Sequence, residues 1–550
     1  MSTKSIASFF GFTLFLAIPF FYFSLLTSNH LSFLSSAEVI YFAIIVISLC
    51  FAFFIEKWLR NKLHGETKRL IFITSITCVW LYAAFLLLMT WSRYEGFVSE
   101  SIDVVYFHQV IWQLSEFKIP YLWNLNQPLY PAWSQHFSPI LIFLAPFYWI
   151  SHSEGLLMML QAIAAISGAI PIYLISKHFL KTKSIGLAIS FAYLSFGGLQ
   201  YGFGYGFHEI LFFPTLFLWA YYFYIRKKIK LYFLFIILSL FCKEEVAFIV
   251  LFWGIYLFLI KRDRLFGAIT ASFGILWYIL CFDIVFPYFN QGKGFGYWGQ
   301  YATDGGSGIW GIIKSTLFKP LSFLQTVSTP SIKIDMMFQT FGQFSFLFFL
   351  FPPAFLLIFP SLMEKLLSSN IAMANGAHYS AAIAAVTVVA TFEALPRIYT
   401  YRFVTRYIHN KNIFFTSLIF YCAFFSTVFY GYNGYSLIPA AHNTIYERGL
   451  TDANYQTLMQ VINVLPTNAT VSAQYQIAPH LNKYYKNLTI WPSMTGTEDF
   501  VIVDTELLPV LGATGQDYTK SLKKLSKNKN YQMAIANSGV YVFRKKSYSF

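Results

Sequence analysis

Charge is scarce in this chain: 11% of its 550 residues are Asp, Glu, Lys or Arg, where soluble domains carry about a quarter. That scarcity excludes an ordinary soluble protein. Cysteine is scarce too. Cys50, Cys78, Cys242, Cys281 and Cys422 lie in or beside apolar segments with no CxxC spacing, which argues against a redox or zinc pair and for buried free thiols. No glycine-rich phosphate loop and no nucleic-acid motif accompany the net charge of +15. The basic residues cluster instead in short loops between apolar runs, as the positive-inside rule of membrane proteins describes. No small-residue cleavage site follows the first apolar stretch, so it is expected to be a retained helix rather than a signal peptide. No internal repeat is evident.

What the chain has in abundance is apolar and aromatic surface: 57% hydrophobic, 21% aromatic, mean hydropathy +0.55. Apolar runs of roughly 20 residues recur along most of its length, the signature of transmembrane helices. Spans are expected at 6–28, 37–56 and 70–91, with the basic loop "KWLRNKLHGETKR" on the cytoplasmic side. The long polar-aromatic segment 92–137 then lies outside. "LIFLAPFYWI" is too short to span and reads as interfacial or re-entrant. Further spans are expected at 155–176, 184–201, 209–225, 265–288, 377–396 and 413–431, with 336–351 and 353–366 as a proline-broken hairpin. The unit 231–260 is bounded by "RKKIK" and "KRDR", so both of its ends are cytoplasmic and its middle, "CKEE", is an outer or recessed apex. This predicts about 13 crossings, the N-terminus inside and the C-terminus outside. Residues 440–550 are different material: "ATVSAQYQIAPHL", "DFVIVD" and "GVYVFRK" read as strands of a small α/β module. The expected fold is thus an all-α polytopic bundle, 1–435, with an extracytoplasmic α/β domain, 440–550.

On this topology the polar residues collect at one face: Asp103, His108, His136, His208, Glu209, Lys243, Glu244, Glu245, Asp283, His378 and Tyr379. Ionisable groups at membrane depth are functional candidates. Asp103 precedes apolar residues at helical spacing, so it is either a helix cap, with Ser101 as a rival, or a working carboxylate. His136 opens "HFSPI" and either snorkels at the interface or binds. His208 and Glu209 are weak candidates for a metal, since two adjacent ligand types do not make a site. Lys243, Glu244 and Glu245 form either an exposed loop or the wall of a site. Trp112, Tyr205 and Trp298 are aromatic surfaces for a sugar or a lipid chain, unless they simply face lipid.

"IDVVYFHQVIW", "HFSPILIFLAPFYWI", "FGYGFHEI" and "CKEEVAF" together resemble the DUF2079 family of prokaryotic membrane proteins, over roughly residues 90–400. That family in turn resembles the GT-C glycosyltransferases. The resemblance implies a lipid-linked sugar donor, of the polyprenyl-phosphate type, used at the extracytoplasmic face of the plasma (inner) membrane, with an envelope acceptor. It implies an acidic residue of the first outer loop, here Asp103, as catalytic base. It makes His108, Gln109, Trp112, His136, His208, Glu209, Lys243, Glu244, Glu245, His378 and Tyr379 substrate-binding candidates, with a divalent metal as a possible cofactor. The His-Pro-type motif departs here through Phe137 and Ser138, which separate His136 from Pro139, and the usual Asp-Glu pair is absent because Ile102 and Val104 flank Asp103. Two other function classes fit the composition. A transporter or flippase would couple ions through Lys243–Glu245 and is expected to show inverted repeats. A non-catalytic envelope scaffold would tolerate loss of Asp103. The partners expected are lipid bilayer, sugar donor and acceptor, with no nucleic acid.

Overall fold

The computed structural model describes residues 36–59, 65–97, 102–122, 130–301, 308–329, 332–370, 378–429, 452–481, 487–494, 496–507 and 515–548. The expected first span, 6–28, lies outside these residues. Among them, six helices are long and apolar enough to cross a membrane: Tyr41–Leu59, Arg69–Glu95, Glu154–Leu180, Arg264–Phe289, His378–Ile398 and Lys411–Val428. Shorter apolar helices fill the intervals, among them Ser184–Leu194, Ile229–Leu240 and Val246–Leu259. The chain is a mostly helical membrane protein with a small sheet module near its C-terminus, and it divides into two compact units.

The first unit comprises residues 1–86, 163–202 and 210–444. Its centre is the helix Ala381–Ile398, whose run of small and β-branched residues, "AAIAAVTVVAT", is buried almost throughout. Small side chains let neighbouring helices come close, which substitutes for hydrophobic collapse where lipid is the solvent. The same device joins Val246–Leu259 to Arg264–Tyr278. A Cβ on Gly254 would stand 2.3 Å from the backbone nitrogen of Ala271, and one on Gly274 would stand 2.6 Å from that of Leu251. Any larger residue at either place would push the two backbones apart. Aromatic contacts seal Ser36–Leu59 against Lys411–Phe429, with Phe51 stacked on Tyr421 at 4.8 Å.

Two expected segments change shape, and a third keeps the form expected of it. The run 184–201 breaks at Ser195–Phe196 into Ser184–Leu194 and Gly197–Tyr205. There Ser195 Oγ donates to the Phe191 carbonyl at 2.7 Å, and the Gly197–Gly198 pair that follows is a poor helix former. The arm 336–351 is not one helix: Ile332–Gly342 ends early, Phe346 takes a left-handed φ of 51°, and Pro352 and Pro353 open the way to Phe355–Leu367. The run 231–260 does split as two short arms, Ile229–Leu240 and Val246–Leu259, around a turn at 241–245.

The second unit comprises residues 87–162, 203–209 and 445–550. It holds a short antiparallel pair, β1 (Tyr121–Leu122) with β2 (Tyr130–Pro131), and a five-stranded sheet. The sheet contains β3 (Val471–Ala473), β4 (Leu488–Ile490), β5 (Phe500–Asp504), β6 (Tyr531–Asn537) and β7 (Val540–Lys545), in the order β4-β3-β5-β7-β6. β3 runs parallel to both β4 and β5, whereas β7 is antiparallel to β5 and β6. Ser538 and Gly539 join β6 to β7 with φ of 48° and 80°, the two positive values a tight hairpin needs. Strands β3, β5 and β7 were legible as β-branched runs, while β4 and β6 were not.

One apolar core runs through this unit. Leu458, Val461, Val471, Ile477, Ala478, Leu481, Ile502 and Val542 of the C-terminal module share it with Phe97 and Val105 of the first large loop. Full burial of a side chain such as Phe97 contributes about 1.5–3 kcal/mol. Polar and stacking contacts reinforce the joint. Tyr455 donates its hydroxyl to the Glu95 carboxylate at 3.1 Å, and the His480 ring stacks on Phe97 at 3.8 Å and on Tyr94 at 4.5 Å.

Candidate functional site

Asp103 lies in the first turn of the helix Ile102–Ser115. Its side chain is 41% exposed. The His208 Nε2 stands 4.0 Å from that carboxylate, and the His208 side chain is only 6% exposed. The backbone that delivers His208 is clamped. Gln161 Nε2 donates to the Gly206 carbonyl at 2.7 Å, and the Gln161 Oε1 accepts from the His208 amide at 2.6 Å. Arg93 Nε donates to the Gly204 carbonyl at 3.0 Å. A glycine-rich stretch, "GYGF", would otherwise be free to wander. Two buried polar side chains therefore hold the imidazole beside the carboxylate. Neither Gln161 nor Arg93 stands out in the sequence as a site residue, although a lone Gln inside the apolar "LLMMLQAIAAI" is a visible signal.

His108 goes elsewhere. It is fully buried, with Nδ1 2.9 Å from the Tyr148 hydroxyl and 3.4 Å from Glu154 Oε1. Trp112 packs edge-on against the His108 ring at 5.3 Å and face-on against His152 at 4.1 Å, and its Nε1 donates to Glu116. Gln109 is buried beside them. These three anchor the helix that carries Asp103. They belong to its packed side. Gln113, one turn after Gln109, pins β1 by bonding both the amide and the carbonyl of Tyr121. His136 is half-buried just ahead of the helical turn that begins at Pro139, and Glu209 is buried beside His208 at the start of the turn Glu209–Phe212.

The remaining candidates belong to the first unit, where they form a cluster of their own. Lys243 Nζ lies 3.5 Å from Glu245 Oε2, with Glu244 buried next to them. Lys365, which no sequence pattern marks, is 1% exposed and pairs with Glu364 at 3.0 Å. Both lysines aim at one ring: Lys243 Nζ is 5.6 Å and Lys365 Nζ 5.7 Å from the centroid of Tyr379. His378 packs on that same ring at 4.0 Å. The phenol of Tyr301, in the turn Gly296–Tyr301, is raised well above its ordinary value by burial, then by the charges of Glu364 and Glu245. Asp283 takes no part. It is exposed on a π-helical turn, Ile279–Val285.

The structure thus brings Asp103 and His208 together in one unit, and Lys243, Glu245, His378 and Tyr379 together in the other. Trp298 packs edge-on within an aromatic knot with Phe295 and leans on Phe282. Among the described residues no group of three or more His, Cys, Asp or Glu side chains is placed to hold a metal ion, and none is assigned to His208 and Glu209.

Comparison with known proteins gives three findings. A family model described as "Predicted membrane protein (DUF2079)" matches residues 93–542. A search of curated proteins gave no match. Among solved structures, ArnT from Cupriavidus metallidurans is similar in two states. In the state bound to undecaprenyl phosphate the identity is 9%, the TM-score 0.44, and the coverage 85% of this chain and 98% of that one. In the apo state the identity is 8%, the TM-score 0.46, and the coverage 86% and 98%.

Proposed function

The chain belongs to the DUF2079 family of membrane proteins, and from that premise we propose a glycosyltransferase that moves a sugar from a polyprenyl-phosphate-type donor to an envelope acceptor outside the membrane. The observation that carries this reading is the Asp103–His208 pair: a part-exposed carboxylate held 4.0 Å from a buried imidazole on a doubly clamped loop. In the proposed reaction the acceptor hydroxyl gives its proton to Asp103 as its oxygen bonds to the anomeric carbon. The bond from that carbon to the phosphate oxygen breaks, and the electron pair leaves with the lipid phosphate. A single displacement inverts the anomeric centre. General-base help of this kind contributes about 10²–10⁴-fold. His208 orients the carboxylate. The leaving group is already a stable anion, so it needs cationic partners more than a proton donor. Within the first unit, Lys243 and Lys365 converge on Tyr379 and are proposed contacts for an anionic lipid headgroup. His136 and Glu209 remain proposed substrate contacts, and His108, Gln109 and Trp112 act through the helix they anchor.

The proposed topology has about 13 crossings, with the bundle over 1–435, the extracytoplasmic module over 440–550 and the N-terminus inside. It is supported by the packing of the second unit. The first loop, the His208 stretch and the C-terminal module share that unit, which fits their lying on one side of the bilayer. The basic loop "KHFLKTK" is assigned to the cytoplasmic side by its charge.

The test is Asp103→Asn in the full-length protein, with mass spectrometry of envelope glycans from cells carrying it. Loss of the modified glycan at unchanged protein level is expected. Unchanged glycosylation removes Asp103 as base.

A further inference from the structure

Asp103 sits on a helix that packs on the C-terminal module, and the module's contribution is local and specific. The turn Ala478–His480 packs against the helix Ile102–Ser115, and Val105 enters the same core as Ile477 and Ala478. The short stretch between β3 and that turn is held at both ends. Gln474, fully buried, accepts from the Asp504 amide at 2.5 Å and donates to the Asp504 carbonyl at 2.9 Å. His480 is locked between Tyr94 and Phe97 by ring stacking. Tyr475 and Gln476 lie between these two fixed points. The Tyr475 ring is half-buried against the core, and burial together with the Asp103 carboxylate holds its phenol above the ordinary range. Tyr475 packs against the same core as Val105, which follows Asp103 on its helix.

We propose that the C-terminal module supplies the acceptor side of the Asp103 site, with Tyr475 as the residue that positions the acceptor hydroxyl. The proposal rests on the glycosyltransferase reading above and adds to it the source of acceptor recognition. The phenol remains protonated at neutral pH and offers a donor hydrogen from the part of the module that packs on the Asp103 helix. A sugar hydroxyl lying between them can accept from Tyr475 while giving its own proton to Asp103. The aromatic ring provides a flat apolar surface of the kind sugars stack on. The arrangement also explains why the module shares a core with the first loop. A residue that positions substrate has to be held to within a fraction of an ångström, and the anchors at Gln474 and His480 do that.

Two measurements on the full-length protein in lipid nanodiscs test it. In the first, a radiolabelled polyprenyl-phosphate hexose serves as donor, and the strain's own envelope extract is titrated as acceptor. Tyr475→Phe keeps the ring and removes the hydroxyl. It is expected to raise the acceptor KM about tenfold, with kcat within about twofold and the donor KM unchanged, the pattern of lost acceptor binding. An unchanged acceptor KM, or a change confined to the donor, overturns the proposal. In the second, 3-fluorotyrosine placed at position 475 is followed by fluorine NMR. Asp103→Asn is expected to lower the pH at which that resonance titrates, and a resonance that does not respond overturns the contact. Failure of the underlying reading looks different. Asp103→Asn with normal transfer removes the base assignment, while an intact acceptor effect of Tyr475→Phe still supports this one.

Discussion

His208 places its Nε2 4.0 Å from the Asp103 carboxylate, and it does so from a backbone that Gln161 grips on two sides. The imidazole therefore has little freedom to leave the carboxylate. His208→Ala is expected to lower transfer by about one to two orders of magnitude, the size of a lost positioning or electrostatic contact in a reacting site. Gln161→Leu should produce a smaller loss of the same kind, because it frees the loop and keeps the imidazole. Transfer measured for both variants at matched protein levels checks the order. An effect of Gln161→Leu larger than that of His208→Ala would point to a folding defect instead.

Lys365 is almost wholly buried and has Glu364 as its ion-pair partner at 3.0 Å. Removing one member strands the other charge, which costs about 3–5 kcal/mol in buried pairs, whereas removing both often costs little. Lys365→Met should thus depress the thermal midpoint sharply in detergent. The double variant Glu364→Leu with Lys365→Met should recover most of it. Donor binding should fail in both, since the second cation near Tyr379 is absent in each.

Glu393 accepts from the Tyr221 hydroxyl at 2.7 Å and the Tyr256 hydroxyl at 3.1 Å, and Lys261 completes the set at 3.0 Å. Hydrogen bonds to a charged group are worth about 1.5–3 kcal/mol each, and buried donors left unpaired add to the loss. Glu393→Ala should cost about 3 kcal/mol or more of stability while leaving donor and acceptor KM unchanged in whatever protein folds. Thermal unfolding followed by transfer kinetics on the survivors separates the two.

His480 is held far below its ordinary value, at about 3, because burial disfavours the imidazolium; a backbone hydrogen bond with Tyr94 opposes this weakly. The unfolded chain takes up a proton near pH 6.5 and the folded module does not. Between these values the unfolded state binds more protons, so stability is complete above about pH 6.5 and falls as pH drops toward 3, by about 1.4 kcal/mol per pH unit. Fluorescence of the buried Trp491, followed during denaturant unfolding at several pH values, should show this slope. His480→Phe preserves the stack and should flatten it.

The sequence made some of this readable and hid the rest for physical reasons. The "CKEE" turn was legible because its charges interrupt an apolar run bounded by two basic loops. The residue types around Asp103 were legible as well. The role of His108 was not, because its burial is decided by Tyr148 and Glu154, which no periodicity ties to it. Lys365 was hidden inside an apolar stretch, and its meaning depends on Tyr379, a residue from another helix. The strands β4 and β6 lacked a pattern: the first has three residues, and the second exposes most of its length. The shared core of Phe97 and Val105 with residues 458–542 is a contact across more than half the chain. Local sequence cannot announce such a contact.

That last contact also orders events during synthesis. Phe97 and Val105 emerge from the ribosome early, yet the side chains that cover them, Leu458 to Val542, follow only after several hundred further residues. Until then the first loop waits with its apolar face uncovered, in the manner of any fold built on distant contacts. The surroundings of Asp103 are therefore completed only after Val542 has been made, so a chain interrupted before that point should be recognised as unfinished and cleared rather than persist in a partly folded form.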